Sequence, residues 1–375
     1  MNYTFISIVF ILSTFLFIKK YILDNSNMDT LTRPKVTLPA KLKIGYANWG
    51  ECDDKIFEAV QNGLNVIIWF SVDLTSKDGK PNISRGPDYT CVAKMVKRFK
   101  DNNYQVINLL SIGGWNSPHP DTTHSAAEYF TEWVNFNQRI SNPSLSFYGF
   151  DGFDWDIEGN DDFASPSNHF TLKELDLMAE LSVLAKQKGY IVAMAPAESY
   201  VDVTTSEFSL SLMHNHKEWE EEVPNFTYHG RNAYAYLIAK VGIDNFDFVS
   251  VQLYEGYTHT LYRYERKKEN FGLILKDLVT KLDEGYEVDF SSIDSEMGKK
   301  VIRVPKEKIV IGLANAWATK QFLFVKEEDI VSGYKEIEKE QKECRGFMFW
   351  DIADEGKVHE GESFYMAKVL NKIFH

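Results

Sequence analysis

Eight short apolar runs recur along the chain, separated by stretches long enough for helices, and they limit its possible folds more than any other feature. They are Leu42–Tyr46, Val66–Val72, Val106–Ile112, Phe153–Glu158, Ile191–Ala195, Phe248–Leu253, Ile309–Leu313 and Gly346–Trp350. Short runs that are apolar on both faces are typical of parallel strands covered by helices. The pattern therefore predicts a (β/α)₈ barrel, or TIM barrel, forming a single domain over residues 41–375.

A doubly wound open sheet is the alternative architecture. Such a sheet generally has fewer strands and a glycine-rich turn after the first strand. Residues 45–50 read G-Y-A-N-W-G, which matches no dinucleotide-binding fingerprint. The barrel is the better prediction.

The amino-terminal segment has the pattern of a secretion signal. Residues 5–18 form an apolar run that is too short for a comfortable membrane span. We predict a signal peptide in residues 1–20, a polar tether in residues 21–40, and a secreted protein with no stable membrane partner. A signal anchor is the alternative, because Lys19 and Lys20 follow the run and no Lys or Arg precedes it.

Composition limits the possible partners. The formal net charge of -13 argues against nucleic acid, which requires basic patches to neutralise its phosphates. The chain is 14% aromatic, with 8 Trp and 19 Tyr, and such side chains also line sugar-binding clefts. The 3 cysteines allow at most one internal disulfide and leave one thiol over.

The fourth run carries the most informative pattern in the sequence. It reads F-D-G-F-D-W-D-I-E from Phe150, so that Asp154, Asp156 and Glu158 alternate with apolar residues and share one face of a strand. The apolar parity suits packing against the outer helices, and Asp151 shares that outer parity. We therefore expect the three acids to point into the barrel.

Ionising all three neighbouring carboxyl groups is energetically unfavourable because their charges repel, so their pKa values must be pushed apart. Glu158 lies nearest the carboxyl end of the strand, where barrel enzymes carry their chemistry, and is best placed to hold a proton for a leaving group. A Mg²⁺ or Ca²⁺ site is the alternative use of such oxygen ligands. No His stands beside the acids, and the intervening aromatic residues favour a strand over an ion-binding loop.

This acidic strand resembles the signature of glycoside hydrolase family 18, D-x-x-D-x-D-x-E on barrel strand four. All four acids of the signature are present, beginning with Asp151. A second family signature, S-x-G-G on strand three, is matched by Ser111, Ile112, Gly113 and Gly114, with Trp115 next. The two matches occur in the correct strand order.

The resemblance extends over roughly residues 41–355. Met194, Ala195 and Pro196 resemble the M-A-P segment of the family on strand five, and Phe347 to Trp350 resembles its strand-eight segment. The V-Q-x-Y segment of strand six is matched by Val251 to Tyr254, which includes Gln252. Glu255 follows, where relatives often have Asn.

The resemblance implies substrate-assisted hydrolysis of bonds between N-acetylglucosamine units. Glu158 would protonate the glycosidic oxygen while the acetamido group of the sugar attacks the anomeric carbon, so this family is an exception to the two-carboxylate rule. Asp156, sharing a proton with Asp154, and Tyr254 would orient the acetamido group, and Trp350 would form the floor of the subsite. No metal or organic cofactor is implied.

The implied substrate-binding residues are Trp350, Met194, Gln252, Tyr46, Gly114 and Trp115, with Trp49 and Trp317 as weaker candidates. Asp151, Ser111 and Gly113 would have structural roles in the motifs. Residues 314–345 are too few for the α+β subdomain that some family members insert after strand seven, which favours an open groove and internal cleavage. The expected partners are chitin and chito-oligosaccharides.

Two other functions use the same barrel. One is a non-catalytic chitin-binding lectin, although such proteins typically lack the acid or its aspartate partner, and both Glu158 and Asp156 are present. The other is an endo-β-N-acetylglucosaminidase that cleaves the chitobiose core of N-glycans with the same motif. The catalytic strand does not separate this second alternative from a chitinase.

Overall fold

A computed structural model of the protein describes residues 36–49, 52–212, 231–256, 258–318 and 321–374. In this part of the chain, eight parallel strands each precede a helix. The strands are β1 (Leu42–Ala47), β2 (Val66–Lys77), β3 (Ile107–Gly114), β4 (Gly152–Ile157), β5 (Ile191–Met194), β6 (Phe248–Gln252), β7 (Ile309–Ala314) and β8 (Gly346–Trp350). The helices are α1 (Asp54–Gln61), α2 (Tyr89–Asp101), α3 (Ala126–Ile140), α4 (Leu172–Gln187), α5 (Ala235–Val241), α6 (Phe271–Glu284), α7 (Glu327–Lys339) and α8 (Met366–Ile373).

The strands close into a barrel. Each pairs with its neighbours in sequence order, and β1 pairs with both β2 and β8, which joins the two ends of the sheet. The (β/α)₈ prediction is confirmed. Only residues 315–326 connect β7 to α7, and no α+β subdomain lies in the described part of that connection.

Helix starts are encoded locally. In α3 and α4, capping boxes join Ser125 to Glu128 and Thr171 to Glu174, so that each pair satisfies backbone N–H groups that the first turn leaves free. Asp53, Asp88 and Asn270 cap the starts of α1, α2 and α6 with their side chains. These caps fix where the connections before α1, α2, α3, α4 and α6 end on the carboxyl face of the barrel.

The buried apolar residues form two layers. An inner cluster fills the barrel and includes Ile44, Ile68, Leu109, Val310 and Met348. A larger outer cluster lies between strands and helices and contains the alternate residues of each strand. This division fixes which side of a strand faces the barrel interior.

Strand β2 is longer than predicted. It continues past Val72 to Lys77, turns at Asp78 and Gly79, and pairs with an antiparallel strand, Lys80–Arg85. A second antiparallel hairpin, Tyr286–Asp289 with Lys299–Ile302, lies between α6 and β7. The D-G pair is a hairpin signal that the strand prediction missed.

Cys52 and Cys91 form a disulfide that ties the β1–α1 connection to α2, and Cys344 is a buried free thiol. Within the described residues, no helix is long and apolar enough to cross a membrane. The predicted signal peptide and most of the predicted tether, up to residue 35, lie outside the described residues.

Candidate active site

The three acids of β4 point into the barrel. Their apolar neighbours Phe153, Trp155 and Ile157 belong to the outer cluster, so the carboxyl groups at alternate positions face inward. The exposed fractions are 0% for Asp154, 5% for Asp156 and 7% for Glu158. These acids form a buried column, and Glu158 stands at its carboxyl end, one residue beyond the strand.

Asp154 is the base of the column. The Tyr46 hydroxyl donates to its Oδ2 over 2.6 Å, and its Oδ1 has no hydrogen-bond partner among the described residues. Burial raises the pKa of Asp154 to about 7, and the hydrogen bond from Tyr46 opposes that rise. Asp154 can therefore hold a proton near neutral pH.

Asp156 and Glu158 form a coupled pair. The Gln252 Nε2 donates over 2.8 Å to Asp156 Oδ1 and over 2.8 Å to Glu158 Oε1, and it is also 2.6 Å from the Ala195 carbonyl oxygen. Burial raises both pKa values, and the neighbouring charge of Glu158 raises that of Asp156 further. The side-chain interaction between the two carboxyl groups raises the pKa of Asp156 and opposes the rise in that of Glu158, so the two groups titrate as a pair.

Tyr254 and Glu255 follow β6 at the same face. Tyr254 is buried, with its ring edge-on to Trp317 at 6.0 Å. Burial, followed by the charge of Glu255, raises the pKa of Tyr254 well above its usual value, so its hydroxyl remains a donor. Burial and the charge of Glu158 raise the pKa of Glu255 as well, which makes it a fourth acid in the site.

Aromatic rings flank the acids. Trp350, at the end of β8, is half-buried and lies 4.7 Å from the ring of Phe70 and 5.6 Å from that of Tyr46. Trp49 is 45% exposed and packs edge-on against Phe70 at 4.6 Å. Trp317 donates from Nε1 to the Trp350 carbonyl oxygen. Flat apolar faces beside buried acids suit the C–H faces of a sugar ring.

The glycines of the S-x-G-G motif are required by close approach. Gly113 has φ +105°, and a Cβ there would lie 2.8 Å from the Asp156 carbonyl oxygen. Gly114 also has φ +105°, and its Cβ would lie 2.0 Å from the Phe70 ring. Trp115 is half-buried and donates from Nε1 to Asp161. The motif lets β3 pack tightly against β4 and Phe70.

Two residues that were predicted to have structural roles, Asp151 and Ser111, lie just before β4 and on β3. Asp151 accepts from the Asn108 N–H through Oδ2 at the base of β3, away from the acid column. Ser111 is fully buried in register with Asp154, and its hydroxyl has no hydrogen-bond partner in the described residues.

Three residues that were predicted to bind substrate have other contacts in the structure. The prediction that Met194 lines the cleft is wrong, because Met194 is in register with Trp155 and belongs to the outer cluster, while Ala193 and Ala195 face the barrel. Tyr46 is only 2% exposed and bound to Asp154, so it supports the acid column instead of forming an open platform. Gln252 likewise contacts the acids directly.

Two side chains that no sequence pattern indicated contact the end of β4. Tyr234, just before α5, and His119, in the β3–α3 connection, hydrogen-bond to the backbone of Ile157 and Glu158. Both lie in connections without periodicity, so no spacing rule indicates them. Among the described residues, no three His, Cys, Asp or Glu side chains are arranged to hold a metal ion.

A closed (β/α)₈ barrel with an acid column at the carboxyl ends of its strands has the architecture of a barrel glycoside hydrolase. The family model described as Glycosyl hydrolases family 18 matches residues 43–354, and the chain belongs to this family. No curated protein matches the chain.

Solved structures share the fold. A family 18 chitinase from Chromobacterium violaceum has a TM-score of 0.54 at 15% identity, over 88% of this chain and 86% of that chain. A fungal endo-β-N-acetylglucosaminidase of family 18 has 0.52 at 14%, over 90% and 98%. The chitinase ChiC from Aspergillus fumigatus has 0.52 at 15%, over 87% and 94%. At these identities the likeness establishes the fold alone.

Proposed function

We propose that the protein is a secreted endochitinase that hydrolyses β-1,4 bonds between N-acetylglucosamine units with retention, by substrate-assisted catalysis. The coupled Asp156–Glu158 pair carries this proposal. The pair is buried, both of its pKa values are raised by that burial, and it stands at the carboxyl end of β4, where the family places its general acid.

In this mechanism Glu158 donates its proton to the glycosidic oxygen as the bond to the anomeric carbon breaks. The carbonyl oxygen of the 2-acetamido group attacks the anomeric carbon and forms an oxazolinium ion. Asp156 stabilises the positive charge on the acetamido nitrogen, and the Tyr254 hydroxyl donates to the acetamido oxygen. Water, deprotonated by Glu158, then attacks the anomeric carbon from the face that the leaving group left, breaks the bond between that carbon and the acetamido oxygen, and gives the β-anomer.

The short β7–α7 connection supports internal cleavage, because no inserted subdomain builds a wall over the groove in its described part. The disulfide Cys52–Cys91 supports secretion, because such bonds persist in oxidising compartments. The string F-D-G-F-D-W-D-I-E-G-N-D resembles the short chitinases of malaria-parasite ookinetes, and our proposal includes a role in opening a chitin-containing matrix.

The test is hydrolysis of N-acetylglucosamine tetramer and hexamer by the wild type and by Glu158→Gln, in the presence of a chelator. Loss of the proton donor is expected to lower kcat by about 10²–10⁴-fold while oligomer binding is retained. The exposed Glu362→Gln is the matched control and should keep wild-type rates. Internal cuts that give β-anomers, and no cleavage of the de-N-acetylated tetramer, are the expected pattern.

Other outcomes separate the alternatives. Oligomer binding without hydrolysis by the wild type identifies a lectin. Release of an N-glycan with no cleavage of the hexamer identifies an endo-β-N-acetylglucosaminidase. Full activity in Glu158→Gln contradicts the assignment of the acid, and loss of wild-type activity in the chelator favours the metal alternative.

A further inference from the structure

The end of the catalytic strand lacks a partner strand on one side. Strand β5 pairs with β4 only as far as Trp155 and Met194, and the Ala195 N–H then donates to the Trp155 carbonyl oxygen. Beyond this point the chain bonds to β6 on its other side, where Ala197 bridges to Gln252. The backbone of Ile157 therefore needs other hydrogen-bond partners on that side. The peptide group of Glu158, which carries the proposed acid just beyond the end of β4, points to the opposite side, toward the β3–α3 connection, and needs a partner there.

Tyr234 supplies partners for Ile157. Its hydroxyl accepts from the Ile157 N–H at 2.7 Å and lies 3.1 Å from the Ile157 carbonyl oxygen, to which it donates. The side chain is fully buried, and its ring stacks on Tyr200 at 5.6 Å with 19° between the planes. One hydroxyl thus replaces the missing strand at this residue.

His119 supplies the partner for Glu158. Its Nε2 lies 3.0 Å from the Glu158 carbonyl oxygen, and its Nδ1 lies 3.5 Å from Glu174 Oε2 on α4. Glu174 is itself fixed by the capping box at the start of that helix. The ring of His119 is therefore held at both edges.

The two contacts share one packing residue. Phe170 stacks on His119 at 4.5 Å and lies edge-on to Tyr234 at 6.2 Å. We propose that His119 and Tyr234 are positioning residues that hold the Ile157–Glu158 backbone and thereby direct the Glu158 carboxyl group at the glycosidic oxygen. The catalytic part of this inference rests on the proposed function. The hydrogen bonds of His119 and Tyr234 to the Ile157–Glu158 backbone, which we call the backbone clamp, do not depend on it.

The kinetic test uses His119→Leu and Tyr234→Phe, which remove the hydrogen bonds, and His119→Gln, which keeps a donor at a similar reach. Because a small displacement of an acid lowers the rate steeply, both removals should reduce kcat on the hexamer about 10- to 100-fold with KM within about twofold. His119→Gln should recover most of this loss. A role in folding alone would lower the melting temperature and leave kcat per folded molecule unchanged.

Matched controls are available close by. Tyr236 lies two residues from Tyr234, is equally buried, and donates to Asp176 on α4 instead of to the catalytic strand. His124 lies in the same connection as His119 and contacts Ser76. Tyr236→Phe and His124→Gln should keep wild-type kcat.

Hydrogen exchange tests the clamp without any substrate. Peptides that cover residues 152–158 should exchange at least about tenfold faster at Ile157 in Tyr234→Phe, because its N–H loses its acceptor, while Trp155 stays protected. Unchanged exchange, or unchanged kcat in both removal variants of an active enzyme, overturns the inference. If the wild type hydrolyses no substrate, the proposed function is contradicted. Hydrogen exchange then still tests whether Tyr234 holds the backbone of Ile157.

Discussion

At the scale of single residues, the burial of acids that the proposed mechanism needs lowers the stability of the fold. Asp154 has no exposed surface, and burial raises its pKa from the ordinary aspartate value of 3.8 to about 7. Below pH 3.8 the carboxyl group is protonated in both the folded and the unfolded state, so its raised pKa does not change the free energy of unfolding. As pH rises, the unfolded state ionises first, so folding stability falls up to about pH 7 and then levels off.

Asp154→Asn removes this pH dependence. The variant should therefore gain stability relative to the wild type as pH rises from about 4 to 7, by on the order of a few kcal/mol, with a constant difference above that range. Urea unfolding of both proteins at several pH values measures the difference. A difference that does not change with pH contradicts the assignment of the raised pKa to Asp154.

Glu255 belongs to the same acid cluster, and its charge raises the pKa of Asp156. Glu255→Gln removes that charge, so the remaining acids should lose their shared proton at lower pH. The alkaline limb of the kcat/KM profile for the N-acetylglucosamine tetramer should then move to lower pH. Glu362→Gln should leave the profile in place, and a limb that moves to higher pH would reverse the inferred sign.

Which site residues are predictable depends on whether a residue lies on a regular element. The parity of β4 gives the inward direction of all three acids, because alternation is a property of any strand. The same parity, applied to β5, would have placed Met194 outside the barrel next to Trp155. Tyr234 and His119 reach the site from irregular connections, where sequence spacing carries no directional information.

At the scale of elements, the packing of β3 against β4 leaves no room for a side chain at Gly113. Its φ of +105° is unfavourable for other residues, and a Cβ there would meet the backbone of Asp156, which cannot move without moving the acid. Gly79 also has positive φ, at +70°, but a Cβ there meets nothing within 4 Å. A comparison of substitutions at Gly113 and Gly79 therefore separates the effect of backbone strain from that of steric contact.

Gly113→Ala should destabilise the fold by about 2 kcal/mol or more and lower kcat in the folded fraction. Gly79→Ala should cost only the strain of its backbone conformation, about 1 kcal/mol, with kcat unchanged. Thermal unfolding and hexamer hydrolysis measure both effects. Equal losses of stability in the two variants would mean that the contact with Asp156 contributes nothing.

The whole barrel was predictable because eight apolar runs with helix-length spacers leave few alternatives. The disulfide pairing was not, because residues 39 apart in sequence come together only once β1, α1 and α2 are in place. The closed loop restricts the unfolded chain, and a loop of this length stabilises by about 3–4 kcal/mol in the chain-entropy account.

The double variant Cys52→Ser and Cys91→Ser should therefore unfold at a lower urea concentration, with an unchanged rate of hydrolysis under native conditions. Activity is retained because neither cysteine lies on or directly after β4, β6 or β8, where the acids, Tyr254 and Trp350 stand. Cys344→Ala is the control for loss of a thiol. The difference in stability between this variant and the wild type should not depend on reductant. Reductant should, however, abolish the difference between the wild type and the double variant. A double variant as stable as the oxidised wild type would mean that the bond adds nothing to the stability of the barrel.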